Sequence, residues 1–510
     1  MNRCRRPVDC GSQSTQITTV LNNTHPQWWK DPGLRKLNFL IFTCYIGAKA
    51  NGYVSSLISS LIANPRWIED LNGLSNINTL GLVVAAHPLG CIAAFFPAPW
   101  LSDRFGRRAG IMFGNIGMTG GVLGQIFCST SVQFLGMRLL VGFASIFNTL
   151  SSSALLLELA HPRQRAVAGA LFNTFFFIGS MTGAWISYGA LNISSSWSWR
   201  LPVAIQLFWT VAQLILVIFC PESPRWYVMN KKEEQARSVM IQFHANGHAD
   251  DQLVLTELSK ICASAEIEDQ SRSVGWLSLF STPGSRKRLI LSVAIGVATQ
   301  WVGNGIISFY LAPVLRTVGI TNPSKQQGIN GGLQIYNWLL AFCAALLAER
   351  VGRRRLFLMS VGTMLVFMTM VTICSARYST TGSIKAGYAV IVFLFLFLGG
   401  YVIGLTPIPI LYVNEIWPSH LRSKGTSIFW VSQAIANCFN QYVNPIALER
   451  IIWRYYLVYV AILVVVLIFM LLYVPETKGL SLEEVCRIFD GQLAGDIDLQ
   501  VVSSRNNDEE

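Results

Sequence analysis

Two short loops carry one charged signature. Residues 101–108 read LSDRFGRR and residues 349–354 read ERVGRR, about half a chain apart. In each, a carboxylate (Asp103, Glu349) stands four residues ahead of an arginine (Arg107, Arg353) that follows a glycine. Two further acid–arginine couples, Glu158 with Arg165 and Glu415 with Arg422, occupy matching places in the two halves. Such groups form ion pairs and charge-assisted hydrogen bonds. The loops hold no nucleophile–base constellation, no Gly-rich phosphate loop and no metal-ligand spacing, so their chemistry is electrostatic and does not make or break bonds. Arginine-rich anchor loops would explain the charge alone. They do not explain one acid–Arg–x–Gly–Arg–Arg order appearing twice, which marks an internal repeat.

A second set of polar groups lies inside apolar stretches. It comprises Asn173, Gln300, Asn304, Tyr310, Asn337 between Tyr336 and Trp338, and Gln433 with Asn437 four residues on. The last two share a helix face. Amides and a phenol both donate and accept, and with aromatic faces nearby they suit a neutral, hydroxyl-rich ligand. Read structurally, the same amides are bridges between helices, worth about 1 kcal/mol each. Three ionisable groups also fall within apolar stretches: Arg138, Lys49 and His87. An arginine there costs about 2.5–3.5 kcal/mol on insertion scales and calls for a partner or a function. A histidine there is more often a packed neutral group than a relay.

These groups need long apolar elements to position them. Of 510 residues, 52% are hydrophobic and 13% charged, with mean hydropathy +0.44. Soluble domains carry about 25% charged residues. A span needs about 20 apolar residues, and the candidates are 37–62, 78–99, 109–128, 133–156, 166–190, 202–220, 288–314, 329–348, 355–375, 386–413, 426–447 and 455–474. This predicts an all-α membrane protein of twelve spans in two six-helix bundles, 37–220 and 288–474. A tail 1–36, a linker 221–287 and a tail 475–510 flank them. Lys231–His244, Gln252–Glu268 and Leu482–Phe489 have helical spacing within these segments. Arg104, Arg107, Arg108, Arg163, Arg165, Arg350, Arg353 to Arg355, Arg422 and Lys424 fall on alternate loops. That side is cytosolic, and an even number of spans puts both termini there. The net charge of +12 is thereby explained without nucleic acid. The eleven cysteines show no metal pairing. Asn192-Ile193-Ser194 is a glycosylation acceptor by pattern on the opposite side. A parallel repeat of this kind is the pattern of two-bundle carriers, with the ligand held between the bundles.

Pro221-Glu222-Ser223-Pro224-Arg225-Trp226 closes the first half and Pro475-Glu476-Thr477-Lys478-Gly479 the second. With DRFGRR, ERVGRR and the two acid–arginine couples, residues 37–490 resemble the sugar porter family of the major facilitator superfamily. Within it, QWVGNG (300–305), SFYL (308–311) and VNPIAL (443–448) look like the fungal lactose and cellodextrin permeases. The resemblance implies a sugar carrier in the plasma membrane, monomeric, with no cofactor and no enzymatic activity; no ATP motif is present. It implies sugar contacts at Asn173, Gln300, Asn337, Gln433 and Asn437. Asn304 is one residue off the usual asparagine, which falls at Gly305. It implies that Asp103, Glu158, Glu349 and Glu415 with Arg107, Arg165, Arg353 and Arg422 latch the bundles together on the cytosolic side. Ile410 and Ala434 stand where the family has aromatic residues, leaving a pocket that suits a disaccharide better than a hexose. Gly404-Leu405-Thr406-Pro407-Ile408-Pro409 breaks the tenth span and is expected to act as a hinge.

The family's proton-coupled members carry an aspartate where this chain has Val54, which would pair with the arginine matched by Arg138. Valine cannot titrate. The remaining coupling candidates are Arg138, His87 and Lys49. Three readings follow: a facilitative sugar carrier, a proton symporter using His87 or another group, and a sugar sensor that binds without turnover.

Overall fold

The computed structural model describes residues 24–25, 27–273, 275–418, 421–480 and 482–490, without the side chains of 267–273, 345–350, 482–483 and 486. Regular structure among the described residues is helical. Helix α1 (Pro32–Ile62) starts five residues earlier than apolarity alone predicts, because Asp31 caps it by accepting from Leu34 N–H and Pro32 stands at its start. A short α2 (Pro65–Asp70) follows. The expected span 78–99 divides into α3 (Ile77–Ala94) and α4 (Pro97–Phe105), since Pro97 restarts the helix. The first group continues with α5 (Arg107–Phe127), α6 (Ser131–Leu159), α7 (Arg165–Ala190) and α8 (Trp197–Val217). The linker holds α9 (Pro224–Met229), α10 (Glu233–His244) and α11 (Gln252–Ser273), at the places the helical spacing marks.

The second group begins with α12 (Pro283–Trp301) and α13 (Asn304–Thr317), which the sequence reads as one span. Gly303 separates them in a left-handed conformation, φ +99°, with Met368 and the Tyr459 ring so close that a Cβ would crowd both. Inside α13, Tyr310 is non-helical (φ −118°, ψ 29°), three residues before Pro313. There follow α14 (Pro323–Val351), α15 (Arg353–Thr381), α16 (Ile384–Gly404), α17 (Ile408–Ile416), α18 (Arg422–Ile451), α19 (Tyr455–Tyr473) and α20 (Leu482–Asp490). The break between α16 and α17 falls at the proline-rich stretch singled out above.

In the first group α1 packs on α7 and α8, α6 on α3 and α5, and α5 on α8. In the second, α15 packs on α16 and α19, α12 on α18, and α14 on α16. The groups meet through α3 with α18, α7 with α14, and α1 with α13. Eight segments among the described residues are long and apolar enough to cross a membrane: Ile77–Ala94, Ser131–Leu159, Arg165–Ala190, Trp197–Val217, Pro283–Thr317, Arg353–Thr381, Ile384–Ile416 and Arg422–Tyr473. Helices α1 and α5 fall below that apolarity, diluted by Lys49 and Asn51 in the one and by a run of glycines in the other.

Candidate functional site

Both copies of the charged signature are built alike. Gly106 (φ +102°) and Gly352 (φ +103°) turn the chain so that α5 and α15 point their first N–H groups at a carboxylate from the far end of the same half. Glu222 accepts from the backbone of Arg107 (3.0 Å), Arg108 (3.1 Å) and Ser223 (2.9 Å). Glu476 accepts from Arg353 (2.9 Å), Arg354 (3.2 Å), Thr477 (3.2 Å) and Lys478 (3.1 Å). A carboxylate at a helix N-terminus satisfies orphan donors and complements the helix dipole. Burial pushes the Glu222 carboxyl above its ordinary value although the N–H groups favour its charge. At the less buried Glu476 burial also raises the value, but its four backbone N–H donors outweigh this and hold the group lower. The sequence marks these acids only as part of closing motifs. Their capping role is visible in retrospect, as one Pro-Glu per half at equal distance from each loop.

The arginines pair within their own half. Arg107 donates to Asp103 (2.7 Å) and to both oxygens of Glu158 (3.2 and 3.3 Å). Arg353 donates to Glu415 (2.8 Å), whose other oxygen accepts from Thr477 Oγ1. The expected couples therefore differ. Arg165 reaches Glu257 of α11 (3.3 Å) and not Glu158, and the Nε of Arg422 is enclosed without a partner among the described residues. The Glu349 side chain lies outside the described residues.

The linker is tied to this end by a buried cluster. His244 places Nδ1 on Glu257 Oε2 (2.7 Å) and Nε2 on the Leu159 carbonyl (3.1 Å), an acceptor at each nitrogen. His161 lies edge-on to it, ring centroids 5.2 Å apart, with Nδ1 accepting from Arg163 N–H and Nε2 unpartnered. Burial, with the neighbouring His244 next in effect, lowers the His161 pKa to about 3. Undocked, it would titrate near the ordinary 6.5. The docked form thus refuses a proton that the undocked form takes, so docking is fully present above pH 6.5 and weakens by about 1.4 kcal/mol per unit below it. Burial raises the Glu257 carboxyl, but His244 and Arg165 outweigh this and hold it low, so its contribution is lost only further into acid. Amide exchange in α10 and α11 is expected to speed up about fivefold from pH 6.5 to 5.5 after correction for intrinsic rates. His161→Gln should flatten that rise; an unchanged rise would refute the assignment.

The interior amides divide into several settings. Gln433 donates to Thr299 Oγ1 (3.0 Å), and Asn437 accepts from Gln441 (3.0 Å). Gln300 is half-buried at the end of α12, its carbonyl taken by Asn440 (2.8 Å). The helix pair α12–α18 thus brings Gln300, Gln433 and Asn437 together. Asn304 and Asn337 are each 7% exposed and each hold an enclosed, unpartnered Oδ1. Asn173 is exposed on α7, in the other group. Tyr310 is fully buried and its hydroxyl donates to the Gln441 carbonyl (2.6 Å), which fastens α13 to α18 and leaves it no free hydrogen for a ligand. Sequence reasoning missed Asn440, Gln441 and Asn444. Asn440 and Asn444 accept from Tyr459, and Asn444 also from Tyr455 (2.8 Å). The signal was present, since 433, 437, 440, 441 and 444 form one polar stripe at helical spacing.

Of the ionisable candidates, Lys49 holds its Nζ 3.6 Å over the Trp209 ring. His87 has Nε2 enclosed and unpartnered, with Nδ1 3.8 Å from Cys91 Sγ. Arg138 is 3% exposed with its Nε unpartnered. The bonds that join the two groups gather at the end away from the arginine loops. Gln327 donates to the Ser60 carbonyl (2.8 Å), Asn330 to Ser60 Oγ (3.4 Å) and Arg316 to the Ile62 carbonyl (3.4 Å).

A family model described as "Sugar (and other) transporter" matches residues 40–489. The chain is similar to the MFS-type transporter oryC of Aspergillus oryzae, 27% identical over 445 residues, covering 85% of this chain and 82% of that one. It is also similar to Hexose transporter 2 of Kluyveromyces lactis, 27% identical over 445 residues, covering 85% and 78%. Its fold is that of the inward-open xylose transporter XylE from E. coli, at TM-score 0.74 and 20% identity, covering 89% of this chain and 100% of that one. Two halves carrying the same capped charged loop, a polar seam between apolar helices, and a family match along most of the chain lead to one assignment: the protein is a membrane transporter of the sugar porter family in the major facilitator superfamily, and not an enzyme.

Proposed function

We propose that the chain moves a sugar across a bilayer by alternating access and without proton coupling, and that its pocket takes a disaccharide of lactose or cellobiose type in preference to a hexose. The relatives include hexose transporters. The observation that carries the uncoupled reading is Arg138. It lies enclosed in α6 with no ion pair to a carboxylate among the described residues, and Val54 stands where a titrating partner belongs. Without a carboxylate to bind and release a proton, the halves rock on the sugar alone. Ile410 and Ala434, in place of bulky aromatics, favour the larger ligand.

The architecture proposed for this function has twelve spans. The eight apolar segments are joined by α1, α5 and α14, and Arg422–Tyr473 is two helices, α18 and α19. The arginine-rich end then faces the cytosol with both termini, and the working unit is a monomer in the plasma membrane. Bonds between the groups gathered at the opposite end support a conformation open to the cytosol. Ligand amides on α7, α12, α13, α14 and α18 would close around the sugar when the arginine-rich ends approach. There the pairs at Arg107 and Arg353, with Glu349 and Arg422, would form the latch.

The test is uptake of labelled cellobiose, lactose and glucose into liposomes holding the purified protein, with and without an inward proton gradient. Equilibration indifferent to the gradient, competed best by the disaccharides, is the expected result. Gradient-driven accumulation would overturn the uncoupled reading and direct attention to His87 and Lys49. Binding without flux in folded protein would favour a sensor.

A further inference from the structure

The face of α14 that reaches Ser60 of α1 is lined with amides. Gln326, Gln327, Asn330, Gln334 and Asn337 recur at helical spacing, share that face, and are all buried. Their donors are committed. Gln327 and Asn330 hold Ser60 of the first group (2.8 and 3.4 Å). Gln326 donates to the Ile320 carbonyl (2.7 Å) and Gln334 to Asn330 Oδ1 (3.4 Å), both within the second group.

Their oxygens are largely unmet. Oε1 of Gln326, Oε1 of Gln327 and Oδ1 of Asn337 are enclosed with no partner among the described residues, as is the hydroxyl of Ser56, one turn before Ser60 on α1. Where Gln326, Gln327 and Asn330 face Ser59, Ser60 and Leu311, the cleft is too tight for a water molecule. Amides that only bridge two helices would account for the bonds to Ser60. They would not account for a row of stranded oxygens, each of which costs free energy while enclosed. The cost belongs to the closed form of this end alone. When the groups part here, the Ser60 bonds break, and two turns of amides next to Asn337 are uncovered together with their unused acceptors.

We propose that Gln327, Asn330 and Gln334 form an outer subsite that reads the second ring of a disaccharide, Asn337 lying at its junction with the first-ring site. The inference rests on the disaccharide-carrier reading and assigns its specificity to named residues. An amide offers both donors and an acceptor, which is what a ring of hydroxyl groups requires. From Asn330 to Asn337 the helix rises about 10 Å, roughly the length of two linked pyranose rings. A single hexose held at Asn337 leaves the outer amides to water. In the closed form Ser60 takes the place of the sugar hydroxyls at Gln327 and Asn330, so the contacts that close this end and those that hold the second ring exclude each other.

The test uses cellobiose and glucose with the full chain in liposomes. Gln334 makes no bond across the seam, so Gln334→Leu leaves the Ser60 contacts in place. It is expected to raise the KM for cellobiose about fivefold and to leave that for glucose unchanged, and Gln334→Asn, which keeps an amide, should recover part of the loss. A second measurement needs no variant: in the unaltered chain, saturating cellobiose should slow amide hydrogen exchange over residues 326–334 and saturating glucose should not. Equal protection by the two sugars, or KM values that rise together or stay unchanged together in Gln334→Leu, would overturn the inference and make the amides part of the closure only; a preference for disaccharides would then still stand. An unaltered chain that takes glucose and refuses disaccharides would overturn the disaccharide reading and this subsite with it, leaving the sugar carrier.

Discussion

Replacing Glu222 with alanine is expected to destabilise the protein by about 3 kcal/mol, seen as a lower thermal midpoint in detergent, and to cut transport at least tenfold in the protein that survives. The loss follows from what the carboxylate holds. It accepts three backbone N–H groups, two from the first turn of α5 and one from Ser223, and it is 7% exposed. Removing it strands buried donors, and each stranded donor costs about 1–3 kcal/mol. The loss also frees the loop that positions Arg107 against Asp103 and Glu158, so stability and gating fail together. Glu476→Ala removes the matching carboxylate, but at a less buried site where water replaces the lost acceptor. Its effect is expected to be smaller, about 1 kcal/mol. Equal losses, or a larger loss at Glu476, would show that the two caps are not the anchors described.

Hydropathy and the repeated loop sufficed for an all-helical chain in two halves, because those features depend on runs of twenty residues and on a motif that occurs twice. The helical spacing within the linker marked α10 and α11 for the same reason. Breaks were harder. Gly303 divides α12 from α13 through one residue's backbone conformation, set by the closeness of Met368 and Tyr459 from distant elements, and a local reading of QWVGNG could not contain that. Polar partners were hardest of all. Arg165 pairs with Glu257 in the linker and not with the acid seven residues before it, because α10 and α11 fold back beneath α6 and α7. Tyr310 reads as a ligand contact by its neighbours in sequence, yet the kink ahead of Pro313 turns its hydroxyl to the α18 backbone. Residue type marked which side chains would be polar and enclosed; only the packing of helices far apart in the chain decides which ones find each other.

Replacing Val54 with aspartate is the sharpest single change available, and it is expected to convert uptake that equilibrates into uptake driven by a proton gradient. Val54 is 2% exposed and lies in the apolar core shared with Val141 of α6, the helix that carries Arg138. Resemblance to proton-coupled sugar porters implies that an aspartate there pairs with the arginine when ionised and frees it when protonated. One proton per sugar then sets a limit of about tenfold accumulation per pH unit of gradient, since a unit is worth 1.36 kcal/mol. The new carboxylate also supplies Arg138 with a resident counter-charge. The double variant Val54→Asp, Arg138→Gln separates pairing from mere loss of fold. If the two residues interact, the double variant departs from the sum of the single effects in uptake and in stability. It buries a carboxylate with no arginine, and should be worse than Val54→Asp alone. A Val54→Asp protein that is folded, equilibrates its sugar as before and ignores the gradient would show that Arg138 is out of reach of position 54, and that the missing aspartate is not why the unaltered chain lacks coupling.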